Sequence, residues 1–287
     1  MNATGEYRQE FVEVDGARLG LQVYPDPDGV ADAPLVLITP AMGVRARYYR
    51  PFAAALRAAG LAVAVADLRG TGQSTPRPSR ACRYGYPELA ADVGAALGAL
   101  KARRDGRRTL LLGHSMGGQA ALLHLAVHGD RDVDGLALVA VGVPWWRSFP
   151  GLRGYGVLPY TQGIAATARL LGVWPGWGFG GRQARGVIRD WAYTARTGRF
   201  PHLDGVDAEA AVRALRTPVL AVSVDDDQYT PHPTVDHLCA KLTAAPVARE
   251  HYTAAQAGAR MDHFTWVRAS GPLAARVARF AADLPAR

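Results

Sequence analysis

The sequence has 287 residues and a formal net charge of +8, and 49% of its residues are hydrophobic and 20% charged. This composition excludes an intrinsically disordered chain, and the length fits one large domain or a core domain with an insertion. Met1 to Glu10 is polar and contains acidic residues, and no run of about 18 apolar residues is free of Gly, Pro or charge. The sequence therefore predicts neither a signal peptide nor a membrane span, and we expect a cytoplasmic protein.

The positive charge lies almost entirely on arginine, since Lys101 and Lys241 are the only lysines. Apart from one group at 103–108, the arginines are scattered, without the basic stripe or recognisable module of a nucleic-acid binder. We therefore expect no nucleic-acid partner, although the charge is compatible with an anionic substrate or an acidic carrier protein. Cys82 and Cys239 are the only cysteines and have no metal-like spacing, so we expect free thiols and no metal site.

The chain begins with a hairpin and continues as alternating strands and helices. Residues 9–14 alternate in polarity, Asp15 and Gly16 form a turn signal, and residues 17–24 return as a second strand. Apolar runs predict buried strands at 34–38, 61–66, 109–112, 136–141 and 219–224. A last strand is predicted at 247–252. Helical spacing predicts helices at 48–59, 87–100, 116–128 and 272–284. This alternation is typical of an α/β fold in which helices cover both faces of a mostly parallel sheet.

One segment interrupts the alternation. About 75 residues between two predicted strands contain no convincing strand, which is too long for a bare loop, and five of the six tryptophans lie here. We expect residues 1–142 and 219–287 to form the core domain. Residues 143–218 are then an aromatic-rich lid over a pocket, with Trp145 and Trp146 in contact with substrate. The alternative is a small satellite core that only packs on the domain.

The five residues Gly113-His114-Ser115-Met116-Gly117 fit the pattern G-x-S-x-G. They follow a short apolar strand and open a predicted helix, which is the context of a nucleophile elbow. Such a sharp turn holds its central residue in a strained backbone conformation, and the flanking glycines avoid Cβ clashes. Ser115 is therefore the candidate nucleophile, exposed at the carboxyl end of the sheet with a helix N-terminus behind it.

With this motif the chain resembles the α/β-hydrolase superfamily over nearly its whole length. The run from Asp67 to Ser74 is similar to the D-x-R-G-x-G-x-S segment of many members, and we expect it to order the loops beside the elbow. The resemblance implies the α/β-hydrolase fold, a mostly parallel, doubly wound sheet with a helical lid insertion.

Residues 39–43, Thr-Pro-Ala-Met-Gly, stand where the family usually has His-Gly-x after its third strand. The resemblance assigns the oxyanion-hole donors to the backbone N–H groups of Ala41 and Met116, with Met42 as the alternative if the loop shifts by one residue. The loop is also similar to that of homoserine acetyltransferase-like members, which have His-Ala-Leu-Thr-Gly there. The same loop also resembles that of a set of bacterial hydrolase-like proteins of unassigned substrate.

The resemblance further implies a chain order of serine, acid and histidine. Three aspartates follow the strand at 219–224, and the family spacing favours Asp227 as the acid, with Asp226 as its rival. Since three adjacent carboxylates cannot all be buried, we expect one to face inward and two to be solvated. His263 lies in the loop between the last strand and the last helix, where the family has its base.

Together these residues predict a serine hydrolase that cleaves a carboxylic ester or thioester through an acyl-enzyme on Ser115, with His263 as the base. An acyltransferase and a lyase are alternatives that use the same triad, and a non-catalytic ligand-binding protein is an alternative from a different class. The expected partner is a small-molecule or carrier-bound acyl substrate, without nucleic acid or membrane. The sequence contains no metal cluster, Walker loop or dinucleotide fingerprint, so no cofactor is implied.

Overall fold

An eight-stranded sheet forms the centre of the computed structural model, which describes residues 7–30, 32–129 and 131–285. Its strands are β1 (Arg8–Val14), β2 (Ala17–Val23), β3 (Leu35–Thr39), β4 (Ala62–Ala66), β5 (Thr109–His114), β6 (Gly135–Val139), β9 (Val219–Val224) and β10 (Val247–Tyr252). Residues 1–6, part of the segment in which the sequence predicts no signal peptide, lie outside the described residues.

The strands are arranged in the order β1-β2-β4-β3-β5-β6-β9-β10. The pairs β1–β2 and β2–β4 are antiparallel, whereas every later neighbouring pair is parallel. The predicted antiparallel start and parallel remainder are thus confirmed. In such a sheet the carboxyl ends of the parallel strands share one edge, and ligand sites of α/β folds lie at that edge.

Helices cover both faces of the sheet. They are α1 (Arg50–Ala58), α2 (Tyr86–Ala99), α3 (Lys101–Arg104), α4 (Met116–His128), α8 (His232–Cys239), α9 (Ala254–Ala257) and α10 (Gly271–Asp283). In β3, Leu35 and Leu37 pack into a core with α2 and α4, whereas Val36 and Ile38 pack into a second core with α1 and α10. Burial on both faces explains why this strand is a continuous apolar run in the sequence. Among the described residues, no helix combines the length and the apolar character needed to cross a bilayer.

Two differences from the predicted bounds bear on the site. The strand predicted at 109–112 continues to His114, because its parallel ladder with β6 extends that far. The helix predicted at 48–59 begins only at Arg50, after a separate 3₁₀ turn, Ala46–Tyr49. The nucleophile elbow therefore begins within β5, and the loop after β3 leads into the 3₁₀ turn that precedes α1.

The cap segment, defined as residues 143–218, lies between β6 and β9. It contains α5 (Arg153–Leu171), α6 (Arg185–Thr197), α7 (Ala208–Ala214) and the two-residue strands β7 (Val173–Trp174) and β8 (Gln183–Ala184). The sequence predicts no strand here, which is wrong for β7 and β8, because strands this short leave no periodic pattern. Helices α5 and α6 pack on each other, whereas α7 packs on α4 of the sheet region.

Candidate active site

Ser115 occupies the sharp turn between β5 and α4, with φ 52° and ψ −121°. A Cβ atom added at Gly113 would clash with the backbone of Gly118, and one added at Gly117 would clash with backbone carbonyl oxygens at the end of β3. Glycine at these two positions is therefore needed for the close approach of neighbouring backbone. The result is a serine held in a backbone conformation that side-chain-bearing residues rarely adopt.

The N-terminus of α4 follows Ser115 directly. The first N–H groups of a helix have no acceptor inside the helix, and they carry partial positive charge. Within the described part of the chain, the N–H of Met116 donates to no protein acceptor. This N–H is therefore available for an anionic oxygen beside Ser115.

Asp227 follows β9, and His263 lies in the loop after β10; the fold brings their side chains together. His263 Nδ1 is 2.8 Å from Asp227 Oδ2 and 3.0 Å from Oδ1, and both side chains are buried. Asp227 Oδ1 also accepts the N–H groups of Tyr229 and Thr230 at 2.8 Å each, and Oδ2 accepts the Thr230 hydroxyl at 2.6 Å. When Nδ1–H donates to the carboxylate, Nε2 of the ring is left to act as a base.

The electrostatic environment keeps Asp227 ionised. Burial raises the pKa of its carboxyl group, but the hydrogen bonds and charge of His263 and the hydrogen bonds of Thr230 outweigh burial and hold the pKa below its usual value. The rival Asp226 is exposed to solvent and has a positive φ of 53°. Asp225 binds His251 instead, at 2.7 Å. Of the three adjacent aspartates, Asp227 alone meets His263.

The loop after β3 differs from the prediction. The N–H of Ala41, one of the two predicted oxyanion donors, donates to the hydroxyl of Tyr49 at 2.9 Å. The 3₁₀ turn that precedes α1 brings this hydroxyl under the loop, so Ala41 N–H is already engaged and is not free for an oxyanion. The next residue, Met42, lines the cavity described below, and its N–H donates to no acceptor among the described residues.

A buried tyrosine–histidine pair ties this loop to the elbow. Tyr49 Oη lies 2.7 Å from Nδ1 of His114, the residue before Ser115. Burial raises the pKa of Tyr49 and lowers that of His114, so both groups are neutral. The tyrosine hydroxyl therefore donates to Nδ1 while it accepts the N–H of Ala41. One hydroxyl thus fixes the position of the loop relative to the nucleophile.

A cavity of about 810 Å³ contains both Ser115 and His263 in its wall. Aromatic side chains form much of the remaining wall, and they come from the cap segment and from the loops after β9 and β10: Phe149, Tyr160, Phe179, Trp191, Tyr229 and Phe264. Phe179 stacks on Trp191 with ring centroids 4.8 Å apart. None of the described residues that line this cavity is acidic. The site is thus a polar serine–histidine pair at the base of a largely apolar cavity.

Comparison with protein families matches residues 32–196, more than half of the chain, to the family described as serine aminopeptidase, S33. The chain belongs to this family. It is therefore a hydrolase with the α/β-hydrolase fold. The matched region of this S33-family hydrolase includes the loop after β3, the elbow and the cap segment as far as α6, and it ends before Asp227 and His263.

Individual relatives are distant. The AB hydrolase superfamily protein YisY of Bacillus subtilis (strain 168) is 39% identical over 85 residues, which are 30% of this chain and only 29% of YisY. A soluble variant of the monoglyceride lipase of Saccharomyces cerevisiae superposes with a TM-score of 0.68 at 16% identity, covering 97% of this chain and 96% of the lipase. The thioesterase domain of the curacin biosynthetic pathway reaches a TM-score of 0.56 at 17% identity, covering 96% of this chain and 99% of that domain. At these identities the solved structures show the shared fold alone.

The two tryptophans predicted to contact substrate lie outside the cavity of this S33-family hydrolase. Trp145 packs on the ring of His237 with centroids 4.8 Å apart, and Trp146 packs on Tyr155 at 5.8 Å. The chain touches the cavity at Pro144 and then turns away before the two rings. The aromatic lining comes instead from Phe149, from α5 and α6, from the glycine-rich turn that contains Phe179, and from the loops after β9 and β10.

Sequence reasoning missed two features of this site. The role of Tyr49 left no signal, because its partners Ala41 and His114 are far apart in the sequence and belong to no shared motif. The abundance of aromatic residues in the cap segment did indicate an aromatic wall. It did not indicate which rings form that wall, since this depends on how α5 and α6 pack.

Proposed function

We propose that this S33-family hydrolase cleaves a carboxylic ester or thioester through an acyl-enzyme on Ser115. The observation that carries the proposal is that Ser115 and His263 line one cavity while the buried carboxylate of Asp227 binds the other side of the His263 ring. A hydroxyl is a weak nucleophile, and a neighbouring base held by an acid is the arrangement that activates it.

The reaction follows from these positions. His263 accepts the hydroxyl proton as Ser115 Oγ attacks the acyl carbon, and Asp227 balances the charge of the imidazolium. His263 then donates this proton to the departing alcohol or thiol. A water molecule, deprotonated by the same ring, attacks the acyl-enzyme, and the acid leaves as the proton returns to Ser115.

For the oxyanion we propose the N–H groups of Met116 and Met42. Met116 begins α4, where free N–H groups favour negative charge. Met42 replaces Ala41 in this proposal because the Ala41 N–H already donates to Tyr49. Both methionines line the cavity that contains Ser115.

The lining supports an apolar acyl group as the part of the substrate that enters the cavity. The structural neighbours named as a monoglyceride lipase and a thioesterase support the same ester and thioester class. Peptide substrates with a free N-terminus are less well supported. The described lining residues include no carboxylate that would bind the ammonium group.

Labelling with a fluorophosphonate probe tests the proposal. Peptide mapping is expected to find the adduct on Ser115, and turnover of p-nitrophenyl esters is expected to fall in step with labelling. A folded wild-type protein that forms no adduct would contradict the assignment of the nucleophile. Repeating the turnover with an added alcohol, and measuring free acid against new ester, separates a hydrolase from an acyltransferase; we expect the acid to dominate.

A further inference from the structure

A second cavity, of about 710 Å³, lies beside the first and is rich in arginine. We call it the arginine cavity; its wall includes Arg45, Arg47, Arg50 and Arg268. The remaining lining residues are neutral, and no acidic residue of the described chain lines it. Three of the arginines come from the turn before α1 and the start of that helix, and the fourth follows His263.

The charge of three of the four arginines is not neutralised by a salt bridge among the described residues. Arg45, Arg47 and Arg268 are exposed and form no salt bridge within the described ranges of the chain. Two carboxylates lie near these arginines: the charge of Arg45 opposes the rise that burial causes in the pKa of Asp67, and Asp262 and Arg268 both act on the hydroxyl of Tyr48. Asp67 accepts two backbone N–H groups, and Asp262 accepts those of the two residues after His263.

Several guanidinium groups around one space repel each other, and an anion between them relieves this repulsion. The planar fork of a guanidinium matches the oxygens of phosphate, and several such groups suit a ligand with more than one negative charge. Arg50 is already oriented, since its Nη2 donates to Tyr7 Oη at 3.0 Å and its guanidinium lies 5.2 Å from the Tyr7 ring centroid. The chemistry of the cavity therefore favours a phosphate group.

The two cavities share a wall. Met42 lines the cavity that contains Ser115 and His263, which we call the catalytic cavity. The next residue, Gly43, lines the arginine cavity. On the other side, Tyr48 lines the arginine cavity and its hydroxyl donates to the carbonyl of Phe264 at 2.9 Å, while Phe264 lines the catalytic cavity. A single substrate that crosses this wall would place its acyl carbon at Ser115 and an anionic group among the arginines.

We propose that the arginine cavity binds a phosphate group carried by the alcohol or thiol part of the substrate. This inference rests on the proposed function, because it specifies which esters or thioesters the site cleaves. The apolar acyl group occupies the cavity lined by aromatic rings. The phosphate-bearing alcohol or thiol lies on the arginine side and departs with the proton from His263. Two sources share this chemistry, a coenzyme A thioester and a lysophospholipid.

The test compares substrate pairs that differ in phosphate. The first pair is butyryl-coenzyme A and butyryl-N-acetylcysteamine, and the second is lysophosphatidic acid and the monoacylglycerol with the same chain. For one of the pairs, kcat/KM of the wild-type enzyme is expected to be about tenfold higher with the phosphate-bearing member. The pair that shows this preference identifies the source of the phosphate.

The variant Arg45→Gln/Arg47→Gln/Arg268→Gln is expected to reduce this ratio to near one. The matched control is Arg213→Gln/Arg216→Gln/Arg279→Gln, which removes the same net charge from exposed positions elsewhere. The control is expected to keep the wild-type ratio. A wild-type ratio near one in both pairs, or an equal loss in the control, overturns the proposal.

Binding of inorganic pyrophosphate, measured by isothermal titration calorimetry, tests the cavity without any reaction. The wild type and the control are expected to bind it at least about tenfold more tightly than the arginine variant; equal affinities overturn the proposal. Failure of the proposed function is seen separately, as an absence of fluorophosphonate labelling at Ser115 in the same preparation.

Discussion

Two sets of a serine, a histidine and an aspartate each take their aspartate from the loop after β9, and the comparison between them shows what makes one a candidate active site. The elbow set is Ser115, His263 and Asp227; the strand set is Ser223, His251 and Asp225. In the strand set, Ser223 Oγ lies 2.8 Å from His251 Nδ1, and His251 Nε2 lies 2.7 Å from Asp225 Oδ1. These distances are as short as the one between His263 and Asp227. Residue types and the histidine–aspartate contact therefore do not distinguish the two sets, and among the described residues only the strand set has its serine within hydrogen-bonding distance of its histidine.

The two serines differ in backbone and in access. Ser223 lies within β9 and is fully buried; its oxygen also contacts Arg249 Nη1 at 2.9 Å and the carbonyl of Glu250 at 3.3 Å. It lines neither of the two cavities described above. Ser115 has a positive φ, lines the catalytic cavity and precedes the N-terminus of α4. The elbow gives Ser115 both access to a cavity and adjacent N–H donors. In the part of the chain that the structure describes, Ser223 of the strand set has neither.

Removing each serine tests this comparison most directly. Ser115→Ala is expected to lower kcat for p-nitrophenyl butyrate at least about 1,000-fold, because no other group forms the acyl-enzyme. Ser223→Ala is expected to change kcat by less than about twofold, since the buried hydroxyl cannot meet substrate. Circular dichroism of both variants controls for folding. Comparable losses in two folded variants would mean that the strand set takes part in catalysis.

Replacing the aspartates of the two sets should affect kcat in the same order as replacing the serines. Asp227→Asn is expected to lower kcat about 1,000-fold, because an amide cannot balance the imidazolium and favours the wrong ring tautomer. Asp225→Asn, which disturbs the equally short contact to His251, is expected to lower kcat less than about threefold. Steady-state kinetics on the same ester measures both. A larger loss for Asp225→Asn would reverse the assignment of the acid.

The sequence was sufficient to predict which side chains come together in the candidate site where this depends on local motif and chain order. Ser115 lies in a five-residue motif with its strand and helix, and His263 and Asp227 follow from the family order of the triad. Which N–H group of the loop after β3 is free was not predictable in this way. Whether Ala41 N–H is free depends on the hydroxyl of Tyr49, and that contact exists only because a 3₁₀ turn folds back under the loop.

The Tyr49 hydroxyl supports the elbow set, and Tyr252 offers a matched control on the side of the strand set. The Tyr252 hydroxyl donates to the carbonyl of Ala269, away from the elbow. Each Tyr→Phe change should lower the free energy of unfolding by about 1–2 kcal/mol through the lost hydrogen bonds. Tyr49→Phe alone should lower kcat, by about tenfold with little change in KM, because the loop that carries Met42 loses its tie to His114. Equal effects of the two changes on kcat would reduce Tyr49 to a purely structural role.

The same contrast between residue type and placement holds, at a smaller scale, for the aromatic residues of the cap segment. Phe179 lines the cavity and stacks on Trp191, whereas Trp146 packs on Tyr155 outside it. Phe179→Ala is expected to raise KM about threefold for p-nitrophenyl decanoate and much less for the acetate, because only a long acyl chain reaches the lost ring. Trp146→Ala is expected to change neither value, although it removes the larger aromatic ring. An equal rise in KM for the decanoate in both variants would mean that the acyl chain extends beyond the cavity towards Trp146.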